Sequence, residues 1–266
     1  MSAKLSRRQL LGLPLGLLAL PRLAIASSPV RKTFSYQANM GVLFDLLTFH
    51  VTGTVVEEID HAAGRYRVVL TGEGSSVTHR TESLGMIRNG RFLPTASWST
   101  GTIRGRENRH STRYDYERGT IEYHSLGHTL ILGRVRQVND VLKLPTGQPV
   151  DDLASATLNF AEGQLEADAE GYYRTVVVRR AKAENEGPDD VSPSGYRAEL
   201  VPLRFRAKPD PRTGRLVATI DITRFSSWAR ANQPAEVTFD EARHIESVKS
   251  SLMLGSSVNV RLTSSI

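Results

Sequence analysis

The sequence predicts a mainly β protein built on a strongly curved antiparallel sheet, half-barrel or barrel-like in shape, with one or two short helices. Three observations lead to this fold class. Apolar and polar residues alternate along many segments, turn-forming residues separate these segments at hairpin spacing, and only one stretch has a helical pattern.

The alternation is clearest between residues 47 and 55. Leu47, Phe49 and Val51 occupy every second position, with threonines and a histidine between them, and the same pattern recurs at 66–70, 216–222 and 258–262. Because successive side chains of a strand point to opposite faces, such segments have one packed face and one solvated face. This division is typical of antiparallel sheets.

Turn signals lie between the strand-like segments, at residues 61–64, 88–90, 117–119 and 210–214, each of which contains glycine. Asn89-Gly90 is the sharpest of them, because both residue types tolerate a positive φ in a tight hairpin.

One segment, Asp151 to Phe160, has the pattern of a helix. It follows Pro149 and begins with two acidic residues, which suit a helix N-terminus, and it spaces Leu153, Thr157 and Phe160 along one side. Helix capping therefore explains the adjacent carboxylates at 151 and 152 without a catalytic role.

Residues 183–195 form the most polar stretch of the chain and are predicted to be a flexible surface loop. A domain boundary at this stretch is the alternative. Strand-like patterns continue at the same spacing on both sides, which favours a long loop within one sheet. We therefore expect a single β-rich domain over residues 27–266.

The N-terminus has the three parts of an export signal. A basic region containing Arg7 and Arg8 precedes a weakly apolar stretch at 10–20, and Ala24-Ile25-Ala26 forms a cleavage site before Ser27. A membrane anchor or a core helix is the alternative, but the apolar stretch is shorter than the roughly 20 residues that span a bilayer. We predict a twin-arginine signal peptide over residues 1–26, with the twin-arginine translocase as a transient partner and the periplasm as the destination.

Charge and composition exclude several classes of protein. The formal net charge is +6, and four of the positive charges (Lys4, Arg7, Arg8 and Arg22) lie in the leader. The remaining arginines alternate with apolar residues, which indicates solvated strand faces rather than a nucleic-acid footprint. The absence of cysteine excludes disulfides, iron–sulfur clusters and thiolate zinc sites.

No motif in the sequence identifies a reaction. His124 and His128 have the spacing of a metal-binding pair on a helix, but Gly127 and the surrounding strand pattern argue against a helix there. A nucleophile elbow and a glycine-rich phosphate loop are both missing from the sequence. We expect no catalytic residue, no metal and no cofactor, and a protein that is not an enzyme.

Several segments, taken in order, resemble the DUF3108 family of bacterial periplasmic proteins. They are Phe34-Ser35-Tyr36 leading to Gly41 and Phe49, the turn from Asn89 to Pro94, the approach from Leu144 to Ser155, and Pro234 to Val237 with Gly255. The resemblance spans about residues 32–263. It implies a periplasmic β protein whose curved sheet is similar in character to LolA-type lipoprotein carriers, and it supplies no catalytic residues.

These observations lead to a hypothesis of a non-enzymatic envelope protein that binds a lipid-like or other hydrophobic molecule in an apolar groove. The candidate lining residues, which ordinary core packing would also explain, are Phe49, Val51, Tyr66, Trp98, Phe160 and Trp228. The first alternative is an envelope assembly protein with a filled core that acts through a protein partner. The second is a hydrolase or cofactor-dependent enzyme, a class that also uses twin-arginine export.

Overall fold

The computed structural model describes residues 28–183 and 186–264. The predicted leader, with Arg7, Arg8, Ala24 and Ala26, lies outside the described residues. The strands are β1 Val30–Val42, β2 Leu47–Asp60, β3 Arg65–Gly74, β4 Val77–Arg88, β5 Arg91–Ile103, β6 Arg106–Asp115, β7 Thr120–His128, β8 Val135–Lys143, β9 Val150–Asp151, β10 Tyr172–Arg180, β11 Ala198–Pro209, β12 Leu216–Ile220, β13 Ala235–Phe239, β14 Ile245–Ser251 and β15 Ser257–Ser264, and the helix is α1 Leu153–Ala161.

All fifteen described strands belong to one sheet. From β1 to β8 each strand pairs with the next one, and on the other side of β1 the order continues β15-β14-β13-β12-β11-β10-β9. Only the short pairing of β9 with β10 is parallel. The sheet ends at β8 and β9, which are not hydrogen-bonded to each other, so it is curved but not closed into a barrel. The predicted fold class is confirmed.

The curvature brings the two ends of the sheet together. Tyr114 of β6 and Ile121 of β7 pack against Val150 and Val176 near the other end of the sheet. The Asp140 carboxylate of β8 also accepts a hydrogen bond from the backbone N–H of Ala198 in β11, at 3.0 Å. We call the enclosed face, which carries Tyr114 and Ile121, the inner face of the sheet.

Strands β10 and β11 are covered on both faces. While Val176 faces β6 and β7, Tyr173 and Phe205 point the opposite way and pack against Phe160 of α1 and against Phe239. The Phe160 ring lies 5.0 Å from Tyr173 and 5.2 Å from Phe205, measured between ring centres. The sheet therefore rolls up with this end inside.

The helix begins where the sequence indicates, and Asp152 caps it. The Asp152 carboxylate accepts from the backbone N–H of Ser155 at 2.8 Å, and the Ser155 hydroxyl accepts from the backbone N–H of Asp152 at 2.9 Å. This reciprocal arrangement is a capping box. Leu153, which the helical spacing places on one side with Thr157 and Phe160, is 76% exposed. The helix instead packs Leu158, Asn159 and Phe160 against the sheet.

Asp151 does not cap the helix but, from the end of β9, joins it to β5 and β10. Its carboxylate is fully buried and accepts hydrogen bonds from Arg91 of β5 at 2.7 Å and from Thr175 of β10 at 2.5 Å. Asn159 of α1 donates to the same carboxylate at 3.2 Å. Burial raises the pKa of Asp151, and the hydrogen bond from Thr175 and the positive charge of Arg91 oppose that rise.

The four predicted turns each lie between consecutive strands, and Asn89 and Gly90 have φ values of 52° and 79°. The polar loop after β10 differs from its prediction in one respect. The side chain of Glu186 is buried and lies 2.6 Å from Arg180 and 3.3 Å from Arg136. This end of the loop is therefore fixed to β8 and β10 rather than free in solvent.

Asn159 is the residue that joins α1 to β5, and its loss tests that connection. Its side-chain oxygen accepts from the backbone N–H of Phe92 at 2.8 Å, and its side-chain nitrogen donates to the carbonyl of Phe92 at 2.9 Å. Asn159→Ala leaves these buried groups unpaired and should lower the free energy of unfolding by about 3 kcal/mol. Urea denaturation measures the change.

The control for this prediction is Thr157→Ala, two positions earlier on the same helix turn but on its more exposed side. It should change the stability by less than about 0.5 kcal/mol. Equal losses in the two variants would contradict the anchoring role of Asn159.

Candidate functional site

The inner face has a filled half, which α1 occupies. Ile59, Tyr66, Phe92 and Leu158 form one buried cluster there, and the Tyr66 ring meets the Phe92 ring edge-on at 5.4 Å. Two of the predicted lining residues, Tyr66 and Phe160, are part of this filled half. They pack against α1 and the sheet.

A row of glycines crosses the inner face beside the filled half. Cross-strand pairing places Tyr36, Gly53, Gly72, His79, Gly101 and Asn108 side by side on β1 to β6. On β7 the row continues at Gly127, whose added Cβ would lie 3.4 Å from the Asn108 side-chain oxygen. Four of its members are therefore glycines, and we call this set the glycine row.

The glycines in the row make room for two rings that lie across the sheet. A Cβ atom added at Gly72 would lie 2.0 Å from the Tyr36 hydroxyl oxygen and 2.9 Å from the His79 ring. A Cβ at Gly53 would also meet the Tyr36 ring, at 2.6 Å. Glycine inside a strand marks such close approach. The two rings can lie low on the sheet only because these positions have no side chain.

A pocket of about 420 Å³ opens on the inner face around the β4–β7 part of this row. Strand alternation identifies the side chains that point into it. They are apolar, small or neutral polar groups: Val77, His79, Ser99, Gly101, Ile103, Asn108, His110, Ser125 and Gly127. The volume is in the range of sites for small molecules.

Burial favours the neutral form of the two histidines of the pocket. Burial lowers the pKa of both His79 and His110, because the charged imidazolium loses its hydration. His110 is further fixed by a 3.1 Å hydrogen bond between its Nε2 and the Thr112 hydroxyl, and its ring packs edge-on against Tyr123 at 4.8 Å. Each neutral ring offers one donor and one acceptor.

The pocket is thus suited to an uncharged or apolar molecule rather than to an ion. Within residues 28–183 and 186–264 no three His, Cys, Asp or Glu side chains converge closely enough to hold a metal. His124 and His128, the spaced pair of the sequence, lie on strand β7, where His124 is hydrogen-bonded to Asn139 and His128 to the carbonyl of Glu107.

The other predicted lining residues lie apart from the pocket. Phe49 is buried and Val51 half-buried on the inner face of β2, further along the sheet. Trp98 pairs with Glu82 and, by strand alternation, lies on the outer face, whereas Trp228 belongs to the connection between β12 and β13. None of the six borders the pocket, so their assignment to a ligand stays a prediction.

Sequence reasoning did not single out His79 and His110 as members of a site. Alternation shows which residues share a face but not which part of a face stays open. A signal was present in the glycines at 53, 72, 101 and 127, since each interrupts an otherwise regular strand pattern.

A second cavity, of about 490 Å³, lies at the C-terminal end of α1 and is bordered by Arg91, Arg174 and Thr175. Arg91 and Thr175 already bind the Asp151 carboxylate, and Arg174 is paired with Asp168 at 2.6 Å. The polar groups at this cavity therefore serve to hold α1, β9 and β10 together.

No protein-family model matches the chain, and no curated protein matches it. Among solved structures, the chain is similar to a β-barrel-like protein of the domain of unknown function DUF1849 from Brucella abortus. The two share 11% sequence identity with a TM-score of 0.41, over 89% of this chain and 96% of that one. The resemblance to DUF3108 is not confirmed and stays a prediction. Among the described residues, no helix has both the length and the apolar character needed to cross a bilayer.

The lowered pKa of His79 and His110 has a measurable effect on stability. The unfolded chain binds protons at these histidines near the ordinary pKa of about 6.5, but the folded chain does so only at lower pH. Their contribution to stability is therefore present above that value and decreases as the pH falls through it. We expect the double variant His79→Gln/His110→Gln to show a flatter pH dependence of unfolding free energy between about pH 7 and about pH 5.

The control Ser99→Ala changes the same pocket without removing a titrating group, and it should keep the pH dependence of the parent. A double variant with an unchanged slope would show that the histidines are not held neutral by burial.

Proposed function

We propose that this protein is an exported, non-enzymatic component of the bacterial envelope that binds a lipid-like or other hydrophobic molecule in the inner-face pocket. The observation that carries the proposal is that α1 and the rolled-up end of the sheet cover other parts of the inner face, whereas a pocket stays open around the glycine row between β4 and β7. A concave face of this kind is a usual place for a ligand.

The side chains that line the pocket favour particular chemical groups in the ligand. Val77, Ile103 and the surface of the glycine row favour an alkyl chain or an aliphatic ring. His79, His110 and Ser125 supply neutral hydrogen-bonding groups, which suit a hydroxyl, ester or amide group. An ionised headgroup buried among them would lose its hydration without gaining an opposite charge. We infer that a charged ligand would keep its charge outside the pocket.

The periplasmic location is part of the same proposal. It is supported by the arginine pair, the short apolar stretch and the small-residue cleavage site of residues 1–26. The resemblance to DUF3108 proteins supports the same location.

A specific observation also favours the alternative function, an envelope assembly protein that acts through a protein partner. Half of the inner face is filled by Leu158, Phe160 and their neighbours, as such a protein would require. The two candidates differ in whether the open half takes a ligand.

The substitution Gly127→Leu tests the pocket. A Cβ atom at this position has only the Asn108 side-chain oxygen nearby, at 3.4 Å, so the larger side chain should fit by filling the cavity. We expect the affinity for a neutral apolar fluorophore, 1-N-phenylnaphthylamine, to fall about tenfold or more. Native mass spectrometry should show a small molecule bound to the parent protein and lost from the variant.

The matched control is Gln137→Leu, which adds the same side chain on the adjacent strand β8 but at an exposed position of the outer face. It should bind the fluorophore like the parent. Equal binding by Gly127→Leu, or a parent protein that binds neither fluorophore nor lipid, would contradict the proposed function and favour the assembly protein.

Export has its own test, in the variant Arg7→Lys/Arg8→Lys. Lysines keep the positive charge of the leader, so an ordinary secretory signal should continue to work, whereas recognition of paired arginines should fail. We expect the parent to appear in the periplasmic fraction with Ser27 as its N-terminus and the variant to remain uncleaved in the cytoplasm. Processing of both chains alike would exclude the twin-arginine route.

A further inference from the structure

The turns at one end of the sheet form a continuous surface, which we call the loop rim. It comprises residues 43–46, 75–76, 104–105, 129–134, 186–190, 221–234 and 252–256. The pocket lies directly below it, because Val77 and Ile103 follow and precede two of these turns in the chain. A molecule entering the pocket from this end would pass the rim.

Hydrogen bonds join neighbouring segments of the rim. The backbone N–H of Phe44 donates to the carbonyl of Leu254 at 3.1 Å, and that of Met253 donates to the carbonyl of Trp228 at 2.7 Å. Arg136 reaches from β8 to Ser227 at 3.3 Å and to the carbonyls of residues 187, 188 and 190. The backbone N–H of Leu132 donates to the Asp189 carboxylate at 2.7 Å. The rim segments are therefore held in place relative to one another.

The rim exposes large apolar side chains. Phe44 is 77% exposed, Leu46 81%, Leu132 58% and Leu254 41%. They make up half of the eight large apolar residues that are exposed in the described part of the chain, although the rim holds fewer than a fifth of the described residues. Clustered exposed apolar groups mark an interaction site, whereas scattered ones do not.

The fold holds the first of these turns in a costly conformation. Leu43, Phe44 and Asp45 have φ values of 55°, 56° and 62°, in the left-handed region that residues with a Cβ atom rarely adopt. The Phe44 ring lies over Gly255, where an added Cβ would come within 2.2 Å of it. This turn, residues 43–46, therefore keeps Phe44 and Leu46 at the surface instead of packing them into the core.

The acidic and basic side chains of the rim differ in how far they extend from it. Three of its four aspartates are turned back onto backbone N–H groups, with Asp189 bonded to Leu132, Asp190 to Gly187 and Asp221 to Thr223. The fourth, Asp45, is exposed at the first turn, and its side chain is short. The exposed arginines are Arg104, Arg134, Arg224 and Arg230. None of the four forms an ion pair with any residue in 28–183 or 186–264. Arg134 donates to the backbone carbonyl of Asp189 at 3.5 Å. The long side chains that extend furthest from the rim are therefore cationic.

The loop rim combines exposed apolar side chains with exposed arginines. This combination suits a lipid bilayer with anionic headgroups. Phenylalanine and leucine side chains enter the boundary between headgroups and acyl chains, and arginine binds the phosphates while its methylene groups stay in the apolar layer. We propose that the loop rim docks on an anionic membrane surface and brings the mouth of the pocket to the lipid. The delivery or uptake of lipid at this contact rests on the proposed function, whereas the contact itself does not.

Sedimentation with vesicles tests the contact. The full chain should bind vesicles of phosphatidylglycerol and phosphatidylethanolamine more tightly than vesicles of phosphatidylcholine. The variant Phe44→Ser/Leu46→Ser should bind the anionic vesicles about tenfold more weakly, because two apolar side chains no longer enter the bilayer. Arg104→Gln/Arg230→Gln should weaken binding by about tenfold as well, and only to the anionic vesicles.

The controls remove exposed apolar groups that lie away from the rim. Val141→Ser on β8 and Leu153→Ser on α1 replace side chains that are 62% and 76% exposed, and they should bind vesicles like the parent. All of these chains share residues 1–27, so any binding by that segment is common to them. Gly127→Leu should also bind vesicles like the parent, which separates docking from ligand binding.

Three results would overturn the proposal. The first is equal vesicle binding by the rim variants and the parent, and the second is equal binding to anionic and neutral vesicles. The third is a dimer in sedimentation equilibrium that Phe44→Ser/Leu46→Ser dissociates without any change in vesicle binding, since the rim would then be an interface between two copies of the chain.

Discussion

The structure depends on the absence of side chains along the glycine row. Gly53, Gly72 and Gly101 let the rings of Tyr36 and His79 lie low across the inner face, where a Cβ atom would collide with a ring or with the backbone. With side chains at these positions the rings would have to stand away from the sheet and into the enclosed space. The low position of these rings therefore keeps part of the inner face open.

The other half of the inner face is filled by α1. Asp151 and Asn159 fasten α1 to β5 and β10 through buried hydrogen bonds, and Phe160 then packs among the aromatic rings of β10, β11 and β13. Buried polar groups of this kind are stable only when each has its partners. The part of the inner face around α1 is therefore held by buried contacts, and the open pocket lies beside it.

Local sequence patterns predict much of the fold but little of the pocket. Alternation, the Asn89-Gly90 turn and the acidic start of α1 act over a few residues, so they predict the strands, a hairpin and the helix. The packing of Val176 against Tyr114 joins residues far apart in the chain, as does the pairing of β1 with β15. Neither contact can be predicted from the pattern of a short stretch of sequence. His79 and His110 meet at one pocket for the same reason, because their shared face is defined only once β4, β5 and β6 are in register.

The central claim is that the space between β4 and β7 stays open in the folded protein and receives an apolar chain. Crystals grown with a fatty alcohol brominated near the end of its chain would test it through the anomalous signal of the bromine. We expect a bromine peak on the inner face, in van der Waals contact with Ile103 and Gly127. A pocket filled by the protein's own side chains, or bromine found only elsewhere on the molecule, would contradict it.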